Sequence, residues 1–147
     1  QYAGNTNLLK YINYDLDNAY HQAVLEDAKI HDKDKSRIKI VFTPIHGTSI
    51  TAVPQVLKKA GYKKVFIVKE QEKPNGDFPS VISPNPEEKE ALNLAVELAE
   101  QKKADIVLGT DPDSDRLGIV VRDFNQKPFY LNGNQIMVVL TEYILYF

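Results

Sequence analysis

Apolar residues recur along the chain with two different spacings, which separate predicted helices from predicted strands. Between residues 13 and 25 they return every three or four positions, as in an amphipathic helix; these residues are Leu16, Ala19, Tyr20, Ala23 and Val24. Short apolar runs rich in β-branched residues instead predict strands. Four such runs occur, at 38–42, 65–68, 104–110 and 117–121.

Further helices are predicted between and after these strands. One begins between Thr48 and Val53 and ends at Ala60, with Gly61 suited to the position after a helix. A second begins at the capping sequence 85–88 (Asn-Pro-Glu-Glu) and runs to about Lys102. Its predicted buried residues are Leu92, Ala95, Val96 and Ala99. A turn at 125–126 leads to a terminal helix from Asn134, and 69–83 is a long irregular loop that is a candidate border of an active site.

The order of these elements predicts an α/β fold, a three-layer α/β/α sandwich. Crossover helices make the first three strands parallel, whereas the connection from Thr110 to Leu117 is too short for a crossover. We therefore expect a mixed four-stranded sheet whose last strand is antiparallel. The whole chain, residues 1–147, is predicted to be a single domain, in which residues 1–37 form an N-terminal helix and a charged connector leading into the core.

Composition narrows the class of protein. With 147 residues and 43% hydrophobic content, the chain is long enough for one substantial core. A net charge of −2 without a basic run argues against nucleic-acid binding. The absence of cysteine excludes disulfides and thiolate metal sites. No apolar run approaches the length of a membrane span, and residues 1–10 lack the apolar segment of a secretory signal, so a soluble cytoplasmic protein is the default expectation.

The strongest chemical signal is the acidic loop, residues 111–116, directly after the third strand. Asp111, Asp113 and Asp115, here called the Asp trio, place three carboxylates at alternate positions. Carboxylates this close repel one another unless a cation lies between them, and hard oxygen ligands suit Mg²⁺, Ca²⁺ or Mn²⁺. Arg116 adds a planar donor that matches phosphate. The loop therefore predicts a metal site beside a phosphate-binding group.

A plain turn and a calcium loop are the alternatives to this metal site. Asp, Pro and Ser are ordinary turn formers, so a solvated turn between two strands is the simpler alternative. An EF-hand calcium loop begins with a similar pattern but needs Gly at its sixth position and Glu at its twelfth. Those positions hold Arg116 and Arg122, which excludes the calcium loop.

The sequence from Thr110 to Arg116 resembles the metal-binding loop of the α-D-phosphohexomutases, the phosphoglucomutase/phosphomannomutase family, whose pattern is Asp-Gly/Pro-Asp-small-Asp-Arg. Three more segments are similar in order and spacing: 42–47 (Phe-Thr-Pro-Ile-His-Gly), 78–88 and 131–135 (Leu-Asn-Gly-Asn-Gln). The resemblance covers roughly residues 38–147 and implies the second domain of a four-domain enzyme, with the same mixed four-stranded sheet.

The resemblance also implies the chemistry. The family transfers a phosphoryl group between an enzyme serine and the two ends of a sugar phosphate, through a bisphosphorylated intermediate. By this resemblance Asp111, Asp113 and Asp115 would ligate Mg²⁺ and Arg116 would hold the phosphoryl group, or else only pair with a neighbouring Asp. His46 is left without a role.

Several parts of such an enzyme are absent from this sequence. It has no Ser-His-Asn-Pro loop with the phosphoserine, no sugar-selecting Gly-Glu-Glu-Ser-Gly loop and no phosphate-gripping loop. The chain also begins at Gln1 without an initiator Met, and we expect an excised domain with no catalytic residue of its own. Its partners would be the other domains of the parent chain, the sugar phosphate and the bisphosphate intermediate. The loops that distinguish glucose, mannose and pentose are expected outside it.

Two alternatives come from different classes of protein. A metal-dependent phosphatase with an Asp nucleophile also uses an Asp-x-Asp strand end, although usually on its first strand rather than its third. A non-enzymatic domain would use the acidic loop only to bind a cation or a partner. Phosphatase turnover by the isolated chain distinguishes the first alternative.

Overall fold

The computed structural model describes residues 7, 9–12, 14–28 and 35–146. Within these ranges the helices are α1 Tyr14–Asp27, α2 Val53–Lys59, α3 Asn93–Lys102 and α4 Gly133–Tyr146. The strands are β1 Lys39–Thr43, β2 Lys64–Ile67, β3 Ile106–Thr110, β4 Leu117–Arg122 and β5 Pro128–Leu131. Short 3₁₀ turns lie at Thr48–Thr51, Lys69–Gln71 and Glu90–Leu92.

The strands form one mixed sheet in the order β2-β1-β3-β4-β5. Strand β1 pairs in parallel with both β2 and β3, and β4 runs antiparallel to β3, as predicted. Because β1 and β3 are parallel neighbours, their carboxyl ends lie side by side at one edge of the sheet. The α/β class of the fold is confirmed.

The predicted strand count of four is wrong, because β5 adds a fifth strand antiparallel to β4. The hairpin turn between them closes with hydrogen bonds from Asp123 N to Lys127 O and from Gln126 N to Asp123 O, each 2.9 Å long. Gln126 takes a left-handed backbone conformation, φ 62°, where a glycine is more usual. The short strand and the missing glycine concealed this hairpin in the sequence.

The predicted start of the second long helix at Asn85 is also wrong. Asn85 Oδ1 accepts the backbone N–H of Glu87 at 3.1 Å, so the capping contact exists, but regular helix begins only at Asn93. The reason lies in packing: Pro86 is fully buried, and its carbonyl lies so close to Gly118 that a Cβ on Gly118 would be 2.2 Å from the carbonyl oxygen. The contact with β4 keeps the segment between Asn85 and Asn93 in a series of turns rather than a regular α-helix.

The first helix forms where it was predicted but buries a different residue. Leu16 and Tyr20 of α1 are 55% and 61% exposed, whereas His21 is buried. Lys59 Nζ of α2 lies 3.2 Å from His21 Nδ1. The charged connector predicted at the end of residues 1–37 lies partly outside the described residues, which resume at Lys35.

The core lies between the sheet and α3. Leu92, Ala95 and Ala99 are buried there, as predicted, while Val96 is half-buried. Gly109 of β3 makes the close approach possible, since a Cβ there would meet Leu92 Cδ2 at 2.4 Å. Helix α3 ends as expected at Lys102, followed by Lys103 in a left-handed conformation. No helix in the described part of the chain has both the length and the apolar character needed to cross a membrane.

Candidate metal centre

The Asp trio converges at the carboxyl end of β3. Each of its three carboxylates offers one oxygen, and these oxygens all lie within 4.8 Å of one another. Asp111 is completely buried, while Asp113 and Asp115 are exposed to solvent. Ligand oxygens around a Mg²⁺ at about 2.0–2.1 Å from the ion are themselves about 3–4 Å apart. Small side-chain rotations would therefore allow the three oxygens to contact one ion, so the donor set fits a hard divalent cation.

A tight turn brings these carboxylates together. Ser114 N donates to Asp111 O at 3.1 Å, and Ser114 has a left-handed backbone with φ 68°. The turn reverses the chain between β3 and β4, whose antiparallel pairing begins with Thr110 opposite Leu117. The acidic loop is thus held at both ends by sheet hydrogen bonds, although Asp113 and Asp115 remain accessible.

Arg116 is paired with the buried member of the trio. Its backbone N donates to Asp111 Oδ1 at 2.9 Å, and its Nε donates to Asp111 Oδ2 at 2.7 Å. Asp115 Oδ1 is more distant, 3.7 Å from the same Nε. The side-chain contacts with Asp111 and Asp115 both use Nε. Among the described residues the terminal nitrogens of the guanidinium therefore have no hydrogen-bond partner. Pairing with Asp111 and contact with a phosphate are therefore compatible.

These contacts shift the pKa values of the loop in opposite directions. Burial of Asp111 disfavours its charged form, but hydrogen bonds from Arg116 outweigh that effect and lower the pKa of Asp111 below its ordinary value. The pKa of Asp115 is raised, first by its hydrogen bond with Asp111 and then by the negative charges of Asp113 and Asp111. The pKa of Arg116 is raised by its hydrogen bond to Asp111, so the guanidinium stays charged.

The segment that follows β1 supports the acidic loop. Thr48 N and Thr48 Oγ1 both donate to Pro112 O, at 2.9 and 3.1 Å. Ser49 Oγ lies 2.6 Å from Thr110 Oγ1 in a buried contact. A Cβ on Gly47 would lie 2.4 Å from Pro112 Cα, so only glycine allows this approach. No role in supporting the loop was predicted for these residues from the sequence; the available signal was the run Gly-Thr-Ser at 47–49, shortly after the buried strand that ends at Thr43.

His46 belongs to the same segment but its ring contacts a different loop. It is 5% exposed, and both ring nitrogens are engaged by the 69–83 loop. Nδ1 lies 3.1 Å from Lys73 O, and Nε2 lies 2.8 Å from Ser80 Oγ. The 69–83 loop thus packs beside the carboxyl end of β1.

Comparison with known proteins identifies the family. The family model described as phosphoglucomutase/phosphomannomutase, alpha/beta/alpha domain II, matches residues 18–125. A phosphoglucomutase of Staphylococcus epidermidis is 46% identical over 109 residues, which are 74% of this chain and 20% of the relative. A phosphoglucomutase of Staphylococcus haemolyticus is 36% identical over 143 residues, 96% of this chain and 26% of the relative. The chain thus spans about a fifth to a quarter of the length of these relatives.

A solved structure agrees at the level of the fold. A phosphoglucomutase/phosphomannomutase family protein of Burkholderia thailandensis superimposes with a TM-score of 0.71 and 21% sequence identity. The match covers 92% of this chain and 27% of that one. At that identity the likeness shows the fold alone, while the family model covers most of the chain. The chain therefore belongs to the phosphoglucomutase/phosphomannomutase family and contains its α/β/α domain II.

Proposed function

We propose that this chain is the metal-binding domain of a phosphosugar mutase, an isomerase that moves a phosphoryl group within a sugar phosphate through a phosphoserine and a bisphosphorylated intermediate. The observation that carries the proposal is the convergence of the three Asp oxygens within 4.8 Å, beside a paired arginine, in a domain of this family. The relatives are described as phosphoglucomutases, which supports a sugar phosphate as the substrate class.

In this proposal Asp111, Asp113 and Asp115 hold Mg²⁺. When bound, the cation neutralises negative charge that develops on the transferring phosphoryl group. Asp111 contributes a carboxylate that is already ionised, because its pKa is lowered in spite of its burial. The terminal nitrogens of Arg116 are proposed to contact the phosphoryl group, since Nε alone makes the side-chain hydrogen bond to Asp111.

The catalytic serine is proposed to belong to another domain of the parent protein. This sequence carries no Ser-His-Asn-Pro loop, so the chain alone is expected to bind a cation without turning over a sugar phosphate. Exposed apolar residues on α4 support contact with the other domains: Met137, Val138, Ile144 and Leu145 are 60–79% exposed. We propose the cytoplasm as the location of the parent enzyme, in line with the absence of cysteine.

The proposal requires the trio to bind a divalent cation, and titration with Mn²⁺ followed by electron paramagnetic resonance tests this. Mg²⁺ should displace the bound Mn²⁺. Asp113→Ala should abolish the binding and leave the circular dichroism spectrum unchanged, since Asp113 is exposed. Glu97→Ala on the exposed face of α3 is the matched control, because it removes the same charge away from the loop. Equal Mn²⁺ affinity in wild type and Asp113→Ala would contradict the proposal.

The phosphatase alternative is not favoured, because residues 18–125, which include the acidic loop, match a mutase domain. Assay of the purified chain with a general phosphomonoester in the presence of Mg²⁺ separates the two. Hydrolysis that disappears in Asp111→Asn would support a phosphatase and contradict the proposed mutase role.

A further inference from the structure

The turn after β1, residues 44–49, lies between two loops and hydrogen-bonds both of them. On one side Thr48 contacts the acidic loop through Pro112. On the opposite side His46 contacts the 69–83 loop. Residues 46 and 48 are two positions apart, so only Gly47 separates the points at which the two loops are attached.

His46 makes four hydrogen bonds to the 69–83 loop, and they use its backbone as well as its ring. His46 N donates to Gln71 O at 2.9 Å, and His46 O accepts from Asn75 N at 3.1 Å. Because Lys73 O can only accept, the ring carries its proton on Nδ1. In the neutral ring Nε2 then accepts the hydroxyl proton of Ser80 at 2.8 Å. Every polar group of this residue is bound to one loop.

A buried chain of side chains extends this attachment to β1. Thr43 Oγ1 donates to Gln71 Oε1 at 2.6 Å, and Gln71 Nε2 donates to Ser80 Oγ at 3.1 Å. The hydroxyl of Ser80 then donates to His46, so donors and acceptors alternate without a conflict. Gln71 and Thr43 are completely buried. The loop is thus fixed to the carboxyl end of the strand beside β3.

The backbone of the turn is strained at the point of attachment. Ile45 and His46 both have left-handed conformations, φ 43° and 59°, which are unfavourable for residues other than glycine and especially for a β-branched one. Such a conformation persists only where the surroundings impose it, and it is most common at functional sites. Here the fully buried Ile45 side chain and the four bonds of His46 impose it.

We propose that His46 and Thr48 are positioning residues that couple the 69–83 loop to the cation site. Order in the loop keeps the turn in place, the turn holds Pro112, and Pro112 fixes the Asp trio in its convergent arrangement. The inference rests on the proposed function, because it concerns the same trio. It assigns to the 69–83 loop the role of a remote support, through which contact with substrate or another domain would raise cation affinity.

The first test needs no cation and measures amide hydrogen exchange in the 147-residue chain. The reporter is the Arg116 amide, which is bonded to Asp111 on the far side of the turn. In His46→Ala it should exchange about threefold to tenfold faster. His46→Asn should recover part of this protection, because Asn tolerates a left-handed backbone and its carboxamide can donate to Lys73 O.

Two controls separate coupling from general destabilisation. Val107→Ala creates a core cavity and lowers global stability without touching the turn, so it should leave local protection at Arg116 unchanged below its unfolding transition. The Gln126 amide, in the hairpin at the opposite end of β4, should not respond to His46→Ala. If His46→Ala does not fold, Ser80→Ala serves the same test, because it removes the bonds of Ser80 Oγ to His46 and Gln71 but leaves the backbone bonds of His46 in place. In a folded variant, faster exchange of the Asn75 amide together with an unchanged exchange rate of the Arg116 amide would overturn the coupling.

The second test uses Mn²⁺. Thr48→Val keeps the backbone bond to Pro112 but loses both hydroxyl contacts with the acidic loop, to Pro112 O and to Ser114 Oγ, and it should weaken Mn²⁺ binding about threefold to tenfold. Thr141→Val, the same change on the exposed face of α4, should not weaken it. By reciprocity Mn²⁺ should slow exchange of the Asn75 amide in wild type but not in His46→Ala. If Mn²⁺ slows exchange of the Asn75 amide by the same factor in wild type and in His46→Ala, the coupling is overturned.

The two tests also separate this inference from the proposed function. A wild-type chain whose trio takes no Mn²⁺ would overturn the proposed metal role, and the Arg116 amide would then decide the coupling alone. If the Thr48→Val and His46→Ala variants both bind Mn²⁺ with wild-type affinity, the proposed metal role stands and the coupling is overturned.

Discussion

Arg116 and Asp111 form a two-point contact in which the backbone N and the Nε of one arginine reach the two oxygens of one carboxylate, at 2.9 and 2.7 Å. The carboxylate is completely buried and the arginine side chain is half exposed. The pair therefore does two things at once. It neutralises a charge that burial would otherwise disfavour, and it holds the guanidinium by Nε, so that among the described residues the terminal nitrogens make no hydrogen bond.

This contact predicts a pH-dependent contribution of Asp111 to stability. Its pKa is lowered on folding, so the stabilisation is fully present above the unfolded value of about 3.9 and is lost as pH falls through the lower folded value. Asp111→Asn removes the charge and should destabilise the chain by about 1–3 kcal/mol at neutral pH. The difference from wild type should shrink as pH falls below about 4. Urea unfolding of both proteins at neutral pH and below about pH 4 measures the difference in stability, and a difference that stays constant would contradict the prediction.

The raised pKa of Asp115 predicts that cation affinity depends on pH. Its pKa is raised, first by the hydrogen bond with Asp111, so a proton competes with the cation above the ordinary range of an aspartate. Mn²⁺ affinity should therefore increase as pH rises through the raised pKa of Asp115 and then level off. Asp115→Asn should weaken binding and flatten this dependence. A parallel pH profile in that variant would assign the competing proton to another group.

Gly47 offers the sharpest steric prediction. A Cβ there would lie 2.4 Å from Pro112 Cα and 2.7 Å from Pro112 O, both backbone atoms that cannot rotate away. Gly47→Ala should force the turn and the acidic loop apart, with a loss of about 1–3 kcal/mol in stability and weaker Mn²⁺ binding. Backbone conformation is not the cause, since Gly47 has φ −101°, which alanine accepts.

The matched control for Gly47 is Gly76→Ala in the 69–83 loop. A Cβ there meets nothing within 4 Å and the backbone is not left-handed, so stability and Mn²⁺ affinity should both stay near wild type. Urea unfolding and Mn²⁺ titration of the two variants side by side make the comparison. Similar behaviour of both variants would mean that the approach of Gly47 to Pro112 has no consequence for the site.

The parts of this structure that the sequence predicted are those set by short-range rules. The antiparallel direction of β4 follows from the short connection between Thr110 and Leu117. The Asp trio is visible in the sequence because its members are neighbours in the chain, and a tight turn then brings their oxygens together. The phosphohexomutase resemblance added the family, which the comparison confirms.

The parts that the sequence did not predict depend on contacts between distant segments. Ser49 and Thr110 are 61 positions apart, and they meet only because β1 and β3 are neighbours in the sheet. The helix expected from Asn85 is displaced to Asn93 because Pro86 packs against β4. The local capping preference of Asn85 is present but weaker than tertiary packing.

The last prediction separates two roles of Arg116 in the full-length protein. Lysine keeps the positive charge but has no planar guanidinium. Arg116→Lys therefore loses the hydrogen bond from Nε to Asp111 and also the two terminal nitrogens that could bind a phosphoryl group together. If the tip contacts the transferring phosphoryl group, kcat and kcat/KM should fall together, by about tenfold to a hundredfold, at saturating Mg²⁺. If Arg116 only braces Asp111, saturating Mg²⁺ should restore the rate and the variant should differ only in Mg²⁺ affinity. Single-turnover rates measured across a Mg²⁺ titration distinguish these outcomes, because a fully restored rate rules out contact with the phosphoryl group.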